Sequence, residues 1–212
     1  MLIAATVCEA HDVDLLVPLM MLEVCCHICY NISRKNCFRG GKWMIIMIGG
    51  ASHTGKTVLA QRLLEKYHYP YLSIDHLKMG LIRSGNTNLT PMDDDQLTGY
   101  LWPIVREMIR TVIENEQNMI VEGCYIPFDW KDDFTTRELE HIRCTFLIMT
   151  RRYIQQHFED IRRHACDVER RLDDSDLNAE ELIRENERNL MLCRSHGCDY
   201  ILIDDAYCIE DL

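Results

Sequence analysis

From residue 43 onward the chain alternates short apolar runs with stretches in which apolar residues recur every three or four positions. The runs "WMIIMI" (43–48), "YLSI" (71–74), "MIVEG" (119–123), "CTFLIMT" (144–150) and "YILI" (200–203) have the length of strands buried on both faces. Between them, Ala60, Leu63, Leu64 and Tyr67 share one helical face, and Leu97, Leu101, Ile104, Val105, Met108 and Val112 share another. Pro103 is expected to kink the second helix or to lie near its start. The segment "AEELIRENERNLMLCRSHG" (179–197) reads as a helix closed by glycine ahead of the last strand. Strands alternating with helices in this way predict a parallel sheet with crossover helices. No repeat or low-complexity tract interrupts the pattern, and "SGNTNLTPMDDD" (84–95) is the one long irregular stretch. Long loops inside compact domains are often functional.

Length and charge narrow the picture. At 212 residues and 47% hydrophobic content, the chain is long enough for one well-filled core and too short for two. A net charge of -11 repels nucleic acid and anionic membrane surfaces, so neither is an expected partner. Eleven cysteines are scattered without paired spacing and without a preceding signal peptide, which predicts reduced thiols in a cytoplasmic protein.

Residues 1–43 depart from the rest. They hold Cys8, Cys25, Cys26, Cys29 and Cys37, and their apolar run "VDLLVPLMMLEVCCHICY" is cut by Asp14, Pro18 and Glu23, short of the roughly 20 apolar residues of a membrane span. "CHIC" lacks the second pair that a zinc site requires. "RGGKWM" can be encoded by a purine-rich stretch resembling a bacterial ribosome-binding site ahead of Met44. The expected division is therefore an atypical segment 1–43, disordered or untranslated in the native protein, and one domain over 44–212. A native N-terminal peptide beginning before Met44 would end the untranslated reading.

The break inside "IIMIGGASHTGKTVLAQ" carries the chemistry. Gly50, Gly55, Lys56 and Thr57 stand in the pattern G-x-x-x-x-G-K-[ST], straight after a strand and opening a helix. Glycines at these points let successive N–H groups turn inward, so Gly50, Ala51, Ser52, His53, Thr54, Gly55, Lys56 and Thr57 form a candidate cradle for the phosphates of a nucleotide. Lys56 reaches the outer phosphates, and the Thr57 hydroxyl can ligate magnesium. Elements typical of motor ATPases, GTPases and transporter ATPases are not visible. Asp75, in "YLSIDHLKMGLIR", closes a short strand at the sheet edge that holds the loop, where a carboxylate can orient or deprotonate an attacking hydroxyl. The same position suits a helix N-cap.

The residues "GGASHTGKT", "SIDHLKMGL" and "MIVEGCYIP" resemble the small P-loop kinases of the nucleoside-monophosphate-kinase-like fold, especially the 2-phosphoglycerate kinase-like and zeta-toxin-like branches of AAA-type ATP-binding proteins. The resemblance covers most of residues 44–205. It implies a three-layer P-loop NTPase fold of class α/β, with a five-stranded parallel sheet flanked by helices and a helical lid at about 151–175. It further implies that Asp75 touches the acceptor, that Glu122 lies near the magnesium ion, and that Tyr125 supplies acceptor contacts. Glu122 equally reads as an ordinary strand-end carboxylate. Within "RRYIQQHFEDIRRHACDVERR", Ile154, Phe158, Ile161, Ala165, Val168 and Leu172 form an apolar stripe, with Arg163 and Arg170 off it beside Arg162 and Arg171. The resemblance makes Arg163 and Arg170 lid arginines that close over the transferring phosphoryl group; the alternative is a solvated face paired with Asp160 and Glu169. Asp204 and Asp205 would border the adenine.

The expectation is thus a cytoplasmic kinase using ATP and Mg2+, with Lys56, Asp75, Arg163 and Arg170 as catalytic residues, Thr57 and Glu122 as metal ligands, and a small-molecule acceptor as partner. Lys78 and Arg83 hint that the acceptor is anionic. The rivals are a toxin-like kinase of a nucleotide sugar and a nucleotide-binding regulatory protein without transfer activity. The oligomeric state stays open.

Overall fold

The computed structural model describes residues 44–164 and 177–207. The segment 1–43, and with it the question of its status, lies outside the described residues. Among the described residues, five strands and six helices follow in chain order: β1 (Ile45–Gly50), α1 (Lys56–Tyr67), β2 (Tyr71–Ser73), α2 (Ile74–Arg83), α3 (Asp94–Glu114), β3 (Met119–Glu122), a 3-10 turn (Trp130–Asp133), α4 (Thr136–Leu139), β4 (Ile142–Met149), α5 (Arg151–His164), α6 (Ala179–His196) and β5 (Asp199–Ile203). Every strand pairs in parallel, in the order β2-β3-β1-β4-β5. This is the expected three-layer P-loop α/β fold, with all five expected strands present.

β1, β3 and β4 read as continuous apolar runs because both faces of the sheet are covered there, whereas on the edge strand β5 Tyr200 and Leu202 are exposed, against the expectation of a strand buried on both faces. Side chains alternate across β1: Ile45 and Met47 join Leu97, Leu101, Val105 and Ile109 of α3 in one buried cluster. Ile46 and Ile48 join Leu59 and Leu63 of α1, Ile154 of α5 and Leu182 of α6 in the other. Each such side chain contributes about 1.5–3 kcal/mol by leaving water. Among the described residues no helix is long and apolar enough to cross a membrane.

Two helix expectations need correction. Helix α3 begins at Asp94 and runs through Pro103 without a break. Pro103 removes the N–H that would bond the Gly99 carbonyl, but both residues face solvent, where the open carbonyl can be hydrated. The buried face of α3 is also rotated from the expected one. Trp102 and Ile109 are buried while Met108 is 37% exposed and Ile104 only half-buried. The phase is set by Leu97, Leu101, Val105 and Ile109, and Met108 lies about 100° from Ile109 around the axis.

Two details place α6. Asn186, fully buried, accepts from the Met149 N–H at 2.8 Å and donates to the Leu182 carbonyl at 2.8 Å, which ties α6 to the end of β4. At its other end α6 closes on Gly197 with φ 61°, as expected from the glycine. The described part of the expected lid is α5, whose stripe buries Ile154 and Ile161 and packs Phe158 beside them. The backbone of α5 departs from helical geometry at His157. The rest of the stripe, Ala165, Val168 and Leu172, lies outside the described residues, as does Arg170.

Candidate functional site

All five strands point the same way, so the segments leaving β1, β2, β3, β4 and β5 gather at one edge of the sheet. The loop after β1 makes its turn through residues with positive φ: Gly50 (135°), His53 (62°) and Gly55 (80°). Neither glycine has room for a side chain. A Cβ on Gly50 would lie 2.5 Å from the Leu147 carbonyl oxygen, and one on Gly55 would lie 1.5 Å from the Tyr207 hydroxyl. The loop is braced from within by Thr54 Oγ1 donating to the Ala51 carbonyl at 2.8 Å, and from outside by the Tyr207 hydroxyl donating to the Thr54 carbonyl at 3.1 Å. Helix α1 then opens with no side-chain cap and no acidic residue in its first turn. Its free N–H groups and positive dipole end are left to an external anion. Thr57 stands half-buried in that first turn.

Lys56 lies folded on the loop, 5% exposed, with Nζ donating to the Ala51 carbonyl at 2.7 Å. Burial works against its charge, but Cys124, Glu122 and Asp75 outweigh burial and hold the ammonium above its ordinary value. Lys56 is therefore a fixed cation ringed by groups from the ends of two neighbouring strands. Glu122 reaches it by register: β3 runs beside β1 with Ile48 opposite Glu122, so the carboxylate comes out beside the loop. Glu122 is 1% exposed and Oε1 accepts from the Tyr71 hydroxyl at 3.0 Å. Burial pushes its carboxyl up despite the opposing pull of Lys56. Cys124 Sγ lies 3.8 Å from Ser52 Oγ, and burial raises the thiol against the pull of Lys56.

Asp75 differs from expectation in its local setting. Strand β2 ends at Ser73, which is the N-cap of α2, and Asp75 falls in the first turn of that helix. The chain passes from strand to helix with no intervening loop, so Asp75 neither closes the strand nor caps the helix. Its carboxylate pairs with Lys78 one turn on, at 2.8 Å. Lys78 in turn donates to the Tyr125 hydroxyl at 2.9 Å, and that hydroxyl donates to Asp94 Oδ1 at 2.6 Å. Asp75, Lys78, Tyr125 and Asp94 thus form one connected chain beside the loop, from three separate elements. Arg83 is exposed at the last position of α2.

Glu185 of α6 is a residue the sequence reading missed. Its carboxylate accepts a hydrogen bond from the Ser52 backbone N–H; burial raises it and Lys56 lowers it, with burial prevailing. An anion already engages an amide of the loop. The position follows from Asn186, whose bond to β4 brings the adjacent Glu185 to the loop; a polar residue among Leu182, Ile183 and Asn186 on the buried face of α6 was the available signal.

The arginines of α5 are all paired with acids. Arg163 is exposed and bonded to Asp160 at 3.2 Å, and Arg162 faces Glu159 at 4.0 Å, which is the solvated-face arrangement. Arg151 pairs with Glu187 at 2.9 Å. Arg152 binds Asp204 at 2.6 Å and also Asp205, while the Thr150 hydroxyl donates to Asp204 at 2.7 Å. The two aspartates expected beside the nucleotide base are thus tied to the start of α5.

No family model matches the chain, and no curated protein matches it. Among solved structures, it is similar to shikimate kinase from Bacteroides thetaiotaomicron, at 17% identity over 79% of this chain and 89% of that one, with a TM-score of 0.46. Shikimate kinase from Acinetobacter baumannii in complex with shikimate is similar at 15% identity over 76% and 83%, TM-score 0.44. A protein from Chloroflexus aurantiacus, whose kinase activity is itself only proposed, gives 16% identity over 78% and 90%, TM-score 0.49. Similarities this distant say nothing of activity, which has to be read from the residues of the site.

Proposed function

We propose that this protein is an ATP- and magnesium-dependent kinase of the cytoplasm that transfers the γ-phosphoryl group to a small-molecule acceptor, akin to the 2-phosphoglycerate kinase-like and zeta-toxin-like enzymes. The observation that carries this reading is the meeting of Lys56, Glu122 and Asp75 at one sheet edge, under an uncapped helix N-terminus. The free thiols Cys124, Cys144, Cys193 and Cys198 support a reducing compartment.

The triphosphate would lie along the loop amides, with Lys56 swinging from the Ala51 carbonyl to the outer phosphates. Among the described residues no three His, Cys, Asp or Glu side chains are grouped to hold a metal alone. A hydroxyl at Thr57 and a carboxylate at Glu122 are hard oxygen donors suited to magnesium, whose remaining ligands are commonly water and substrate phosphate. The ion, when bound, neutralises developing phosphate charge. Asp75 accepts the proton of the acceptor hydroxyl as the new O–P bond forms and the bond to the leaving ADP oxygen breaks. Lys78 holds the Asp75 carboxylate in place by their ion pair. The lid residues Arg163 and Arg170 would supply late-arriving positive charge, for which Arg163 must leave Asp160.

A metabolite panel scored by ADP release tests the reading. Stimulation by at least one acceptor, abolished by Lys56→Ala, is the expected result. ADP release no faster with any acceptor than with water alone would overturn it.

A further inference from the structure

The neighbours of Glu122 are set by register. Parallel pairing of β2 with β3 puts Tyr71 opposite Ile120 and Ser73 opposite Glu122, so all four side chains share one face of the sheet. Tyr71 stands two residues short of Glu122 along the strands, about 6.6 Å at the usual rise. A phenol side chain spans that gap, and the Tyr71 hydroxyl donates to Glu122 Oε1 at 3.0 Å. The Tyr71 ring packs against the buried cluster that holds Ile120, Leu59 and Leu63. Ser73 is the nearer neighbour and favours the charge of the carboxylate, but its Oγ, in a side chain 2% exposed, lies outside hydrogen-bond geometry. Tyr71 is therefore the residue whose hydrogen bond fixes how the Glu122 carboxylate is turned. With Oε1 committed to the phenol, Oε2 is the oxygen left to a cation.

Resting on the reading of Thr57 and Glu122 as magnesium ligands, we propose that Tyr71 is a positioning residue of the metal site. It acts through Glu122 and touches neither nucleotide nor ion. Hydrogen bonds to a ligating carboxylate set its orientation, and their loss weakens metal affinity. Tyr71 makes this bond from a strand and from a packed ring, so the hydroxyl has a fixed origin that a loop residue would lack. Glu122, 1% exposed, has no bulk water to supply the same bond if the phenol is removed.

The test is calorimetric binding of ATP to the full chain, with excess magnesium chloride and again with chelator. It compares the wild type, Tyr71→Phe, Glu122→Ala and the double variant. Tyr71→Phe keeps the packed ring and removes only the hydroxyl. Magnesium preference, the ratio of the two affinities, should fall about tenfold in Tyr71→Phe, the lower end of the loss that follows when the partner of a metal ligand is removed. Binding in chelator should stay within about twofold of the wild type, which also shows the variant to be folded. In Glu122→Ala the preference should fall at least as far, and adding Tyr71→Phe should change it by less than about twofold, since no carboxylate remains to be held. An unchanged preference in Tyr71→Phe beside a reduced one in Glu122→Ala overturns the positioning role and leaves the metal ligands standing. Equal loss with and without magnesium makes the hydroxyl a structural group and overturns the role as well. Additive losses in the double variant do the same, because Tyr71 would then act apart from Glu122. A preference unchanged in Glu122→Ala removes Glu122 from the metal site and takes this inference with it, while ADP release across the metabolite panel still decides phosphoryl transfer.

Discussion

The phosphate loop and the acceptor side share one edge of the sheet, yet they are assembled over very different spans of chain. The donor half is eight consecutive residues, Gly50 to Thr57, whose conformation is fixed by two glycines and by packing against Leu147 and Tyr207. The acceptor half draws Asp75 from α2, Asp94 from α3, Tyr125 from the segment after β3 and Glu185 from α6. The first is a local backbone device suited to the charge shared by every nucleoside triphosphate. The second is a long-range arrangement of side chains, free to differ in what it accepts. On the proposed reading, one half states the donor and the other holds the selectivity.

The largest expected effect separates them at the donor end. Lys56→Ala should lower acceptor-stimulated ADP release roughly 10²–10³-fold, the range found for losing one fixed electrostatic stabiliser of a transition state. It also leaves Glu122 and Asp75 facing each other without their shared cation, so binding of magnesium nucleotide should weaken in the same calorimetric series. A variant that keeps more than a tenth of the rate would detach the loop from the chemistry.

At the acceptor end, Asp75→Asn should reduce kcat about 10²-fold, within the usual range for a positioned general base, while nucleotide affinity changes less than about twofold. Steady-state kinetics and nucleotide titration on one preparation give the split. If both fall together, the two halves are not separable units and the comparison fails.

The same contrast explains what could be read from the sequence. The strands were legible because Ile45 to Ile48 are buried on both faces, so apolar identity is demanded at every position. The loop was legible because its geometry needs particular residues at particular spacings within one turn. The face of α3 was misjudged at Met108, since an apolar residue at the boundary of a helical stripe fits either phase, and only packing on the sheet decides. Asp94 is one of three consecutive aspartates, and its role is set by a Tyr125 hydroxyl 31 residues away. Glu185 is one of four glutamates on α6 and is singled out only by the bond between its neighbour Asn186 and Met149, across 37 residues. Lys78 was visible as a cation, and its pairing with Asp75 follows from their i,i+3 spacing once both are placed on α2.

Glu122 lies at the junction of the halves, and its titration sharpens their boundary. Its carboxyl is raised by burial in the folded protein, so the native state binds that proton more tightly than the unfolded chain does. Between the ordinary glutamate value and the raised one, stability therefore falls as pH rises. Thermal unfolding of the wild type from pH 5 to 8 should show a steeper loss of stability with pH than Glu122→Gln, in which this group no longer titrates. Equal slopes would mean that Glu122 ionises in the folded protein as it does in water, which is incompatible with its burial beside the loop. Bound magnesium nucleotide should flatten the wild-type slope, because a cation at Glu122 favours the ionised form.

The smallest expected effect concerns Glu185, which spans the divide by lying on an acceptor-side helix while bonding a donor-side amide. In the nucleotide-free protein its carboxylate accepts from the Ser52 N–H and faces Lys56, so it competes with phosphate oxygens for the same groups. Glu185→Gln keeps an oxygen acceptor of similar shape and removes the charge. Metal-free ATP should then bind severalfold more tightly at pH 8, where like-charge repulsion is greatest, and less differently as pH falls and the raised Glu185 carboxyl of the wild type becomes protonated. Titrations with chelator present exclude magnesium at Glu122 from the comparison, so the convergence of the two proteins at low pH reports Glu185 alone. Tighter binding that persists unchanged at low pH would trace the effect to shape rather than charge. Weaker binding in the variant would place the Glu185 carboxylate among the groups that hold the nucleotide, and the donor half would then extend to α6.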